Sequence, residues 1–305
     1  MISIDILTEL EKKIKKEKIT SCLIQYENSL VLKYYKNNKM KDKQHKVNSV
    51  TKSVLSILVG IAIDRGDLEG VHQPIADFFS NLTDWQKQLT LEHLLTMTPG
   101  FDWPEFTSWG GRPMPMINSR DWVRFILERP MVEPSGESMH YNSGCSQMLS
   151  AILQKAAGMS LTEYAEAYLF NPLGIKDYTW YSDAKGIVIG GFGLSLKAED
   201  LLKLGRLMLQ EGTWNGHKLV SKDWVIESTI PRFHTYNKIG SYGYHWWILT
   251  DDDHQPAQPP AYFAMGYGGQ YIIVAPKNQL IVTFTSELYN DTFKPLRYFK
   301  KCGLQ

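Results

Sequence analysis

Cysteine is scarce in this chain. Cys22, Cys145 and Cys302 are too few and too scattered for a disulfide framework or a cysteine-built zinc site. No apolar run reaches membrane-spanning length. At the N-terminus, Glu9, Glu11-Lys12-Lys13 and Lys15-Lys16-Glu17-Lys18 leave no continuous apolar core of the kind a signal peptide has. A cytoplasmic protein is the expectation. Net charge is equally thin, since 33 Lys and Arg against 32 Asp and Glu leave +1, mixed along most of the chain. The basic footprint of a nucleic-acid binder is missing. So are a His-Glu-x-x-His zinc motif, a Gly-x-Ser-x-Gly nucleophile elbow and any internal repeat. Asp251-Asp252-Asp253 lacks further acids nearby and reads as a solvated turn. No metal or organic cofactor is implied.

What the chain does have is bulk, with 305 residues and 43% hydrophobic content, enough for one large domain or two. Apolar positions at Ile4, Ile6, Leu7, Leu10 and Ile14 predict an amphipathic helix over 4–17. Residues 22–26 and 30–35 flank Glu27-Asn28-Ser29 as a hairpin. The lysine-rich stretch from Lys36 to Lys46 reads as a solvated loop. From Leu55 to about Gly174 the pattern is mostly helical. It is interrupted by Phe101 to Asn118, whose five breakers (Pro104, Gly110, Gly111, Pro113, Pro115) predict a long loop and a site wall. Ser160-Leu161-Thr162-Glu163 is a capping box, and Ala198 to Gln210 an amphipathic helix. Tyr242 to Ile248 reads as an aromatic strand and 251–260 as a loop. Residues 271–275 and 280–285 form a second hairpin, with a helix after Asn290. The expected class is therefore α/β of the α+β type. Strands from residues 1–54 and 175–305 build an antiparallel sheet covered by terminal helices, with a mainly helical region, 55–174, inserted between them and the site between the two parts.

Ser49-Val50-Thr51-Lys52 opens the apolar run Val54 to Ile63. Residues three apart on a helix share a face, so the Ser49 hydroxyl and the Lys52 amine are expected side by side, with the free N–H groups of the helix start pointing at any anion formed there. A desolvated lysine can deprotonate a serine nucleophile. The tetrad is cheap, and Ser182/Lys185 repeats it within a polar loop; only Ser49 opens a buried-looking helix. Such a nucleophile also needs a proton carrier and oxyanion donors. Two glycine-bounded stretches offer them, Tyr141-Asn142-Ser143-Gly144 and Gly266-Tyr267-Gly268-Gly269-Gln270. His245, beside two tryptophans, reads as packed, and Trp103, Trp109 and Trp246 are candidates for a pocket wall or for the core.

Taken in order, Ser49-Val50-Thr51-Lys52, Tyr141-Asn142-Ser143 and Tyr267-Gly268-Gly269 resemble the three motifs of the serine β-lactamase and penicillin-binding-protein superfamily, on the side of the class C β-lactamases, D-Ala-D-Ala peptidases and related esterases. His93 to Gly100, and Gly193-Leu194-Ser195 with Asp200-Leu201, support the resemblance, which spans about residues 20–300. It implies Ser49 as the acylated nucleophile, Lys52 as its deprotonating partner and Tyr141 as proton carrier, with an adjacent Lys52 ammonium favouring the phenolate. It also implies the backbone N–H groups of Ser49 and Gln270 as oxyanion hole, and Ser143, Asn142, Tyr267, Gly268 and Gly269 as substrate-binding residues.

Two positions depart from that pattern. The family's Tyr-x-Asn is here Tyr141-Asn142-Ser143, and its third motif usually begins with Lys or His where Tyr267 stands. The second change removes a cation for the carboxylate that β-lactams and D-Ala peptides carry. The expected function is a serine hydrolase of small-molecule esters or amides, with no nucleic-acid partner and no membrane span. A true β-lactamase or D-Ala-D-Ala carboxypeptidase is the rival within enzymes, and a non-catalytic ligand-binding or sensor member is the rival outside them.

Overall fold

In the computed structural model, which describes residues 3–236, 239–250, 255 and 260–301, the alternating apolar segments from the two ends of the chain pair into one antiparallel sheet. Its strands are β1 (Ile19–Tyr26), β2 (Ser29–Tyr35), β3 (Phe233–His234), β4 (Ser241–Tyr242), β5 (Trp247–Ile248), β6 (Tyr262–Gly266), β7 (Gln270–Ala275) and β8 (Leu280–Ser286). They lie in the order β2-β1-β8-β7-β6-β5-β4-β3. The first hairpin thus sits beside the last strand, with Cys22 opposite Phe284 and Ile24 opposite Val282.

Five longer helices pack around it: α1 (Ile4–Ile14), α2 (Val50–Arg65), α3 (Ser143–Ala157), α4 (Ala198–Leu209) and α5 (Lys294–Lys301). Successive strand residues face opposite sides, and both sides are covered. Tyr271, Ile273, Val282 and Phe284 join Leu10 and Ile14 of α1 and Leu296 and Phe299 of α5 in one core. Ile272, Val274 and Ile281 join α2, α3 and α4 in the other. Every residue of α2 from Val50 to Ala62 is buried, as expected of a helix apolar on all sides. Gly66 ends it in the left-handed conformation, φ +79°. A helix held on all sides gives the residues at its start a fixed position. None of the helices among the described residues is long and apolar enough to cross a membrane.

The expected aromatic strand over 242–248 is instead a tight hairpin, with Tyr242 paired to Trp247. The turn is set by His245, at φ +60°, whose backbone N–H and ring are both held by the Leu95 carbonyl. The lysine-rich stretch contains a short helix, Lys39–Asp42, and a strand, His45–Lys46, that pairs with Leu194–Leu196. Of the expected loop over 251–260, only Gln255 and Pro260 fall within the described residues, and Cys302 lies outside them.

Candidate active site

Ser49 is the residue from which α2 starts, at φ −70° and ψ −4°. The residue before it, Asn48, takes a left-handed backbone, φ +49°, and its Nδ2 donates to the Tyr267 carbonyl at 2.6 Å. This bond ties the helix start to the β6–β7 turn. At Gly266, the end of β6, a Cβ would lie 2.2 Å from the Val47 carbonyl oxygen and 3.2 Å from both Ser49 N and the Gln270 Cβ. The strand therefore approaches Ser49 as closely as a glycine permits, with the Gln270 backbone alongside.

Lys52 lies one turn into α2 and is 1% exposed. Its Nζ is 3.3 Å from Ser49 Oγ, 3.2 Å from Ser143 Oγ and 2.7 Å from the Gly191 carbonyl. Three partners match the three donors of an ammonium. Burial lowers the Lys52 pKa to about 8, against the pull of Glu105 and Cys145, which raise it. A minor but usable free-amine fraction, about a tenth at pH 7, is thus available. A Cβ at 191 would sit 3.2 Å from Nζ and from the Ser143 carbonyl oxygen, so glycine leaves this approach uncrowded.

Tyr141 precedes α3, and its phenol is near enough to Ser49 for the serine to act on its pKa. Its ring stacks on Trp247 at 6.1 Å, tilts against Phe106 at 4.9 Å and lies 4.9 Å from Lys52 Nζ. The expectation that Lys52 favours a phenolate is overturned. Burial, reinforced by the charge of Glu105, pushes the phenol well above its ordinary range, and the neighbouring Ser49 offsets only part of this. Tyr141 is a neutral donor in the resting site.

Ser49 and Tyr141 open onto a cavity of about 700 Å³, walled by Trp103, Phe106, Tyr236, Trp247 and Tyr267 among others. The 101–118 segment supplies one wall, as its breakers suggested, through Trp103, Glu105, Phe106, Thr107 and Gly111. Of the other tryptophans, Trp109 packs edge-on behind Trp103 at 4.9 Å, and Trp246 is a core residue. His245 is buried between Leu95 and Ser146, and burial, followed by the nearby Lys52 charge, lowers its pKa to about 3. Ser182 and Lys185 are exposed, with Ser182 in an isolated bridge to Val188.

With the three motifs gathered around one hydroxyl, kinship can be judged. The β-lactamase family model matches residues 28–299. The chain belongs to the β-lactamase family. A 6-aminohexanoate-dimer hydrolase of Paenarthrobacter ureafaciens is 24% identical over 300 residues, spanning 90% of this chain and 74% of the relative. A class C β-lactamase from Rhodobacter sphaeroides superposes with a TM-score of 0.75 at 17% identity, covering 99% of each chain. EstCE1, titled a hydrolase with promiscuous acyltransferase activity, gives 0.78 at 14% identity, covering 98% of this chain and 97% of that one. At these identities the structural likenesses show the fold, a large antiparallel sheet with helices.

Within this β-lactamase-family site, four expected substrate-binding residues have other duties. Asn142 is 1% exposed and caps α3, its Oδ1 accepting from Gly144 N and Cys145 N. That side chain is spent on orphan helix donors and does not reach the cavity. Ser143 bridges Lys52 to Glu105. Gly268 and Gly269, at φ +82° and +84°, form the β6–β7 turn, fastened by Ser286 Oγ donating to their carbonyls. Tyr267 does line the cavity. Two residues escaped sequence reasoning. Gly191 sits in the run Gly190-Gly191-Phe192-Gly193, and its glycines were the only signal. Glu105 lies in a stretch with no period, and nothing singled it out. Among the described residues, no group of three or more His, Cys, Asp or Glu is arranged to hold a metal ion.

Proposed function

We propose that this protein is a serine hydrolase, acylated on Ser49 by a small ester or amide and regenerated by water. The observation that carries the proposal is the meeting of three groups at an open cavity: the Ser49 hydroxyl, the Lys52 amine at 3.3 Å, and the phenol of Tyr141. The free amine of Lys52 takes the Ser49 proton as Oγ bonds to the acyl carbon. Backbone N–H groups of Ser49 and Gln270 hold the oxyanion. The neutral Tyr141 phenol protonates the leaving alcohol or amine, and the Lys52 ammonium supplies the proton that restores it. Water then attacks the acyl carbon and gives its proton to Lys52. Ser49 Oγ leaves with that proton, and the site returns to its starting state.

The walls favour an uncharged, apolar acyl chain, since no Lys or Arg is among the described lining residues. Tyr267 stands where a cation would meet a carboxylate, so an ester or amide lacking that carboxylate fits better than a β-lactam or a D-Ala peptide. Relatives named as hydrolases support the reaction class. The test is intact-protein mass after exposure to a fluorophosphonate and, separately, to a penicillin. One phosphonyl adduct is expected, absent from Ser49→Ala, with no persistent penicillin adduct. Folded protein that takes up no phosphonate would overturn the proposal and favour a ligand-binding role.

A further inference from the structure

Glu105 is a carboxylate placed where a core normally excludes one. It is 3% exposed, and every hydrogen bond it makes in the site comes from a donor. Oε2 accepts from Ser143 N and Trp103 Nε1, each at 2.8 Å, and Oε1 accepts from Ser143 Oγ at 2.7 Å. The Ser143 hydroxyl proton is thereby committed to Glu105, leaving the oxygen to accept from Lys52 Nζ at 3.2 Å. A directed chain results, from Lys52 through Ser143 to Glu105. Burying a carboxylate is costly unless it is paired and hydrogen-bonded. Here the counter-charge is Lys52, one hydroxyl away, and α3 begins at the bridging serine.

Resting on the Ser49 reading above, we propose that Glu105 is a positioning residue for acylation. Through the Ser143 hydroxyl it holds Lys52 toward Ser49 and sets the pH at which Lys52 can take the serine proton. The other groups facing Lys52 do not duplicate this role. From α2 there is the Ser49 hydroxyl, and ahead of α3 the neutral Tyr141 phenol. The buried Cys145 thiol belongs to α3, and burial pushes its pKa up. The Gly191 carbonyl comes from the 190–193 loop. From the β4–β5 turn comes His245, which is neutral near pH 7 and bonded elsewhere. Glu105 is the one anion in that shell among the described residues, and it acts to keep Lys52 protonated.

The substitution Glu105→Gln removes the charge while keeping the shape. With its amide oxygen accepting from Ser143 N and Trp103 Nε1, its NH₂ meets Ser143 Oγ. The serine hydroxyl proton then turns toward Lys52 and stabilises the free amine. Both effects lower the pH at which Lys52 becomes a base. The measurement is the rate of Ser49 phosphonylation by a fluorophosphonate, followed by intact mass as a function of pH. It is made on full-length protein, with circular dichroism confirming the fold. The wild-type rate should rise with pH through a midpoint near pH 8 and then level off. In Glu105→Gln the rising limb should move to lower pH while the plateau rate falls. Ser143→Ala cuts the same chain by deleting an acceptor for the ammonium, and should move the limb in the same direction even if Glu105→Gln fails to fold. A limb that stays at the wild-type pH in whichever variant folds would overturn the inference, whatever the loss of rate. Wild-type protein that takes up no phosphonate at any pH would instead remove the Ser49 reading itself, and this inference with it.

Discussion

Gly266 is the position where a single methyl group most directly tests the oxyanion site. It is an ordinary strand residue, not one of the left-handed glycines, so alanine meets only a steric objection there. The added Cβ lies 2.2 Å from the Val47 carbonyl oxygen. Carbon and oxygen sit comfortably at about 3.3 Å or more, so Gly266→Ala forces the strand end and the Ser49 segment apart by about 1 Å. The same methyl presses on Ser49 N and the Gln270 Cβ, both 3.2 Å away, so the displacement falls on the two proposed oxyanion donors. Such donors act over about 2.7–3.1 Å, and a misplacement of about 1 Å costs about 10²-fold. Phosphonylation of Ser49 should therefore slow about 100-fold, which is about 2.7 kcal/mol in activation free energy. Over-packing should also cost about 1–3 kcal/mol of folding stability. A stopped-time mass assay gives the rate and a thermal melt gives the stability. Gly205→Ala in α4 is the control. Its Cβ meets Ile281 Cγ2 at 2.6 Å and Ile272 Cγ2 at 3.1 Å, away from the cavity lining, so it should lower stability without slowing labelling. A Gly266→Ala protein that is destabilised yet labels at the wild-type rate would refute the assignment of Ser49 N and Gln270 N as oxyanion donors.

Two further substitutions probe the departures from the family's motifs. Asn142→Ala removes the acceptor for two helix-start donors and should cost about 0.5–2 kcal/mol in a denaturant melt; the phosphonate concentration for half-maximal labelling should stay unchanged, and a tenfold rise would show that Asn142 reaches the ligand after all. Tyr267→Lys restores a cation on the cavity wall and should speed penicillin adduct formation on Ser49 about tenfold, near 1.4 kcal/mol for a charge-assisted contact, with no gain meaning that Tyr267 is not what disfavours carboxylate-bearing substrates.

Local pattern was enough for much of this protein because the relevant physics is local. Residues 19–35 and 262–286 alternate or run apolar, and they pair as hairpins across short turns. The three-residue spacing of Ser49 and Lys52 has one geometric meaning at a helix start, and the buried run after it fixes which of the two Ser-x-x-Lys copies sits at the cavity. The aromatic run at 242–248 misled because strand propensity ignores long-range hydrogen bonds; the turn there depends on Leu95 and Ser146, which hold His245 from 150 and 99 residues away. Asn142 misled for the opposite reason, since its neighbour in the motif suggested a ligand contact while the nearest unpaired donors were those of its own helix. The three-dimensional fold alone decided the electrostatics. Glu105 reaches Ser143 across 38 residues and Gly191 reaches Lys52 across 139. No spacing rule connects such pairs, because a buried carboxylate and a bare carbonyl become partners only when packing closes water out between them. The candidate nucleophile was legible in the order of the residues, but the protonation states proposed for Lys52 and Tyr141 follow from what the folded chain buries beside them.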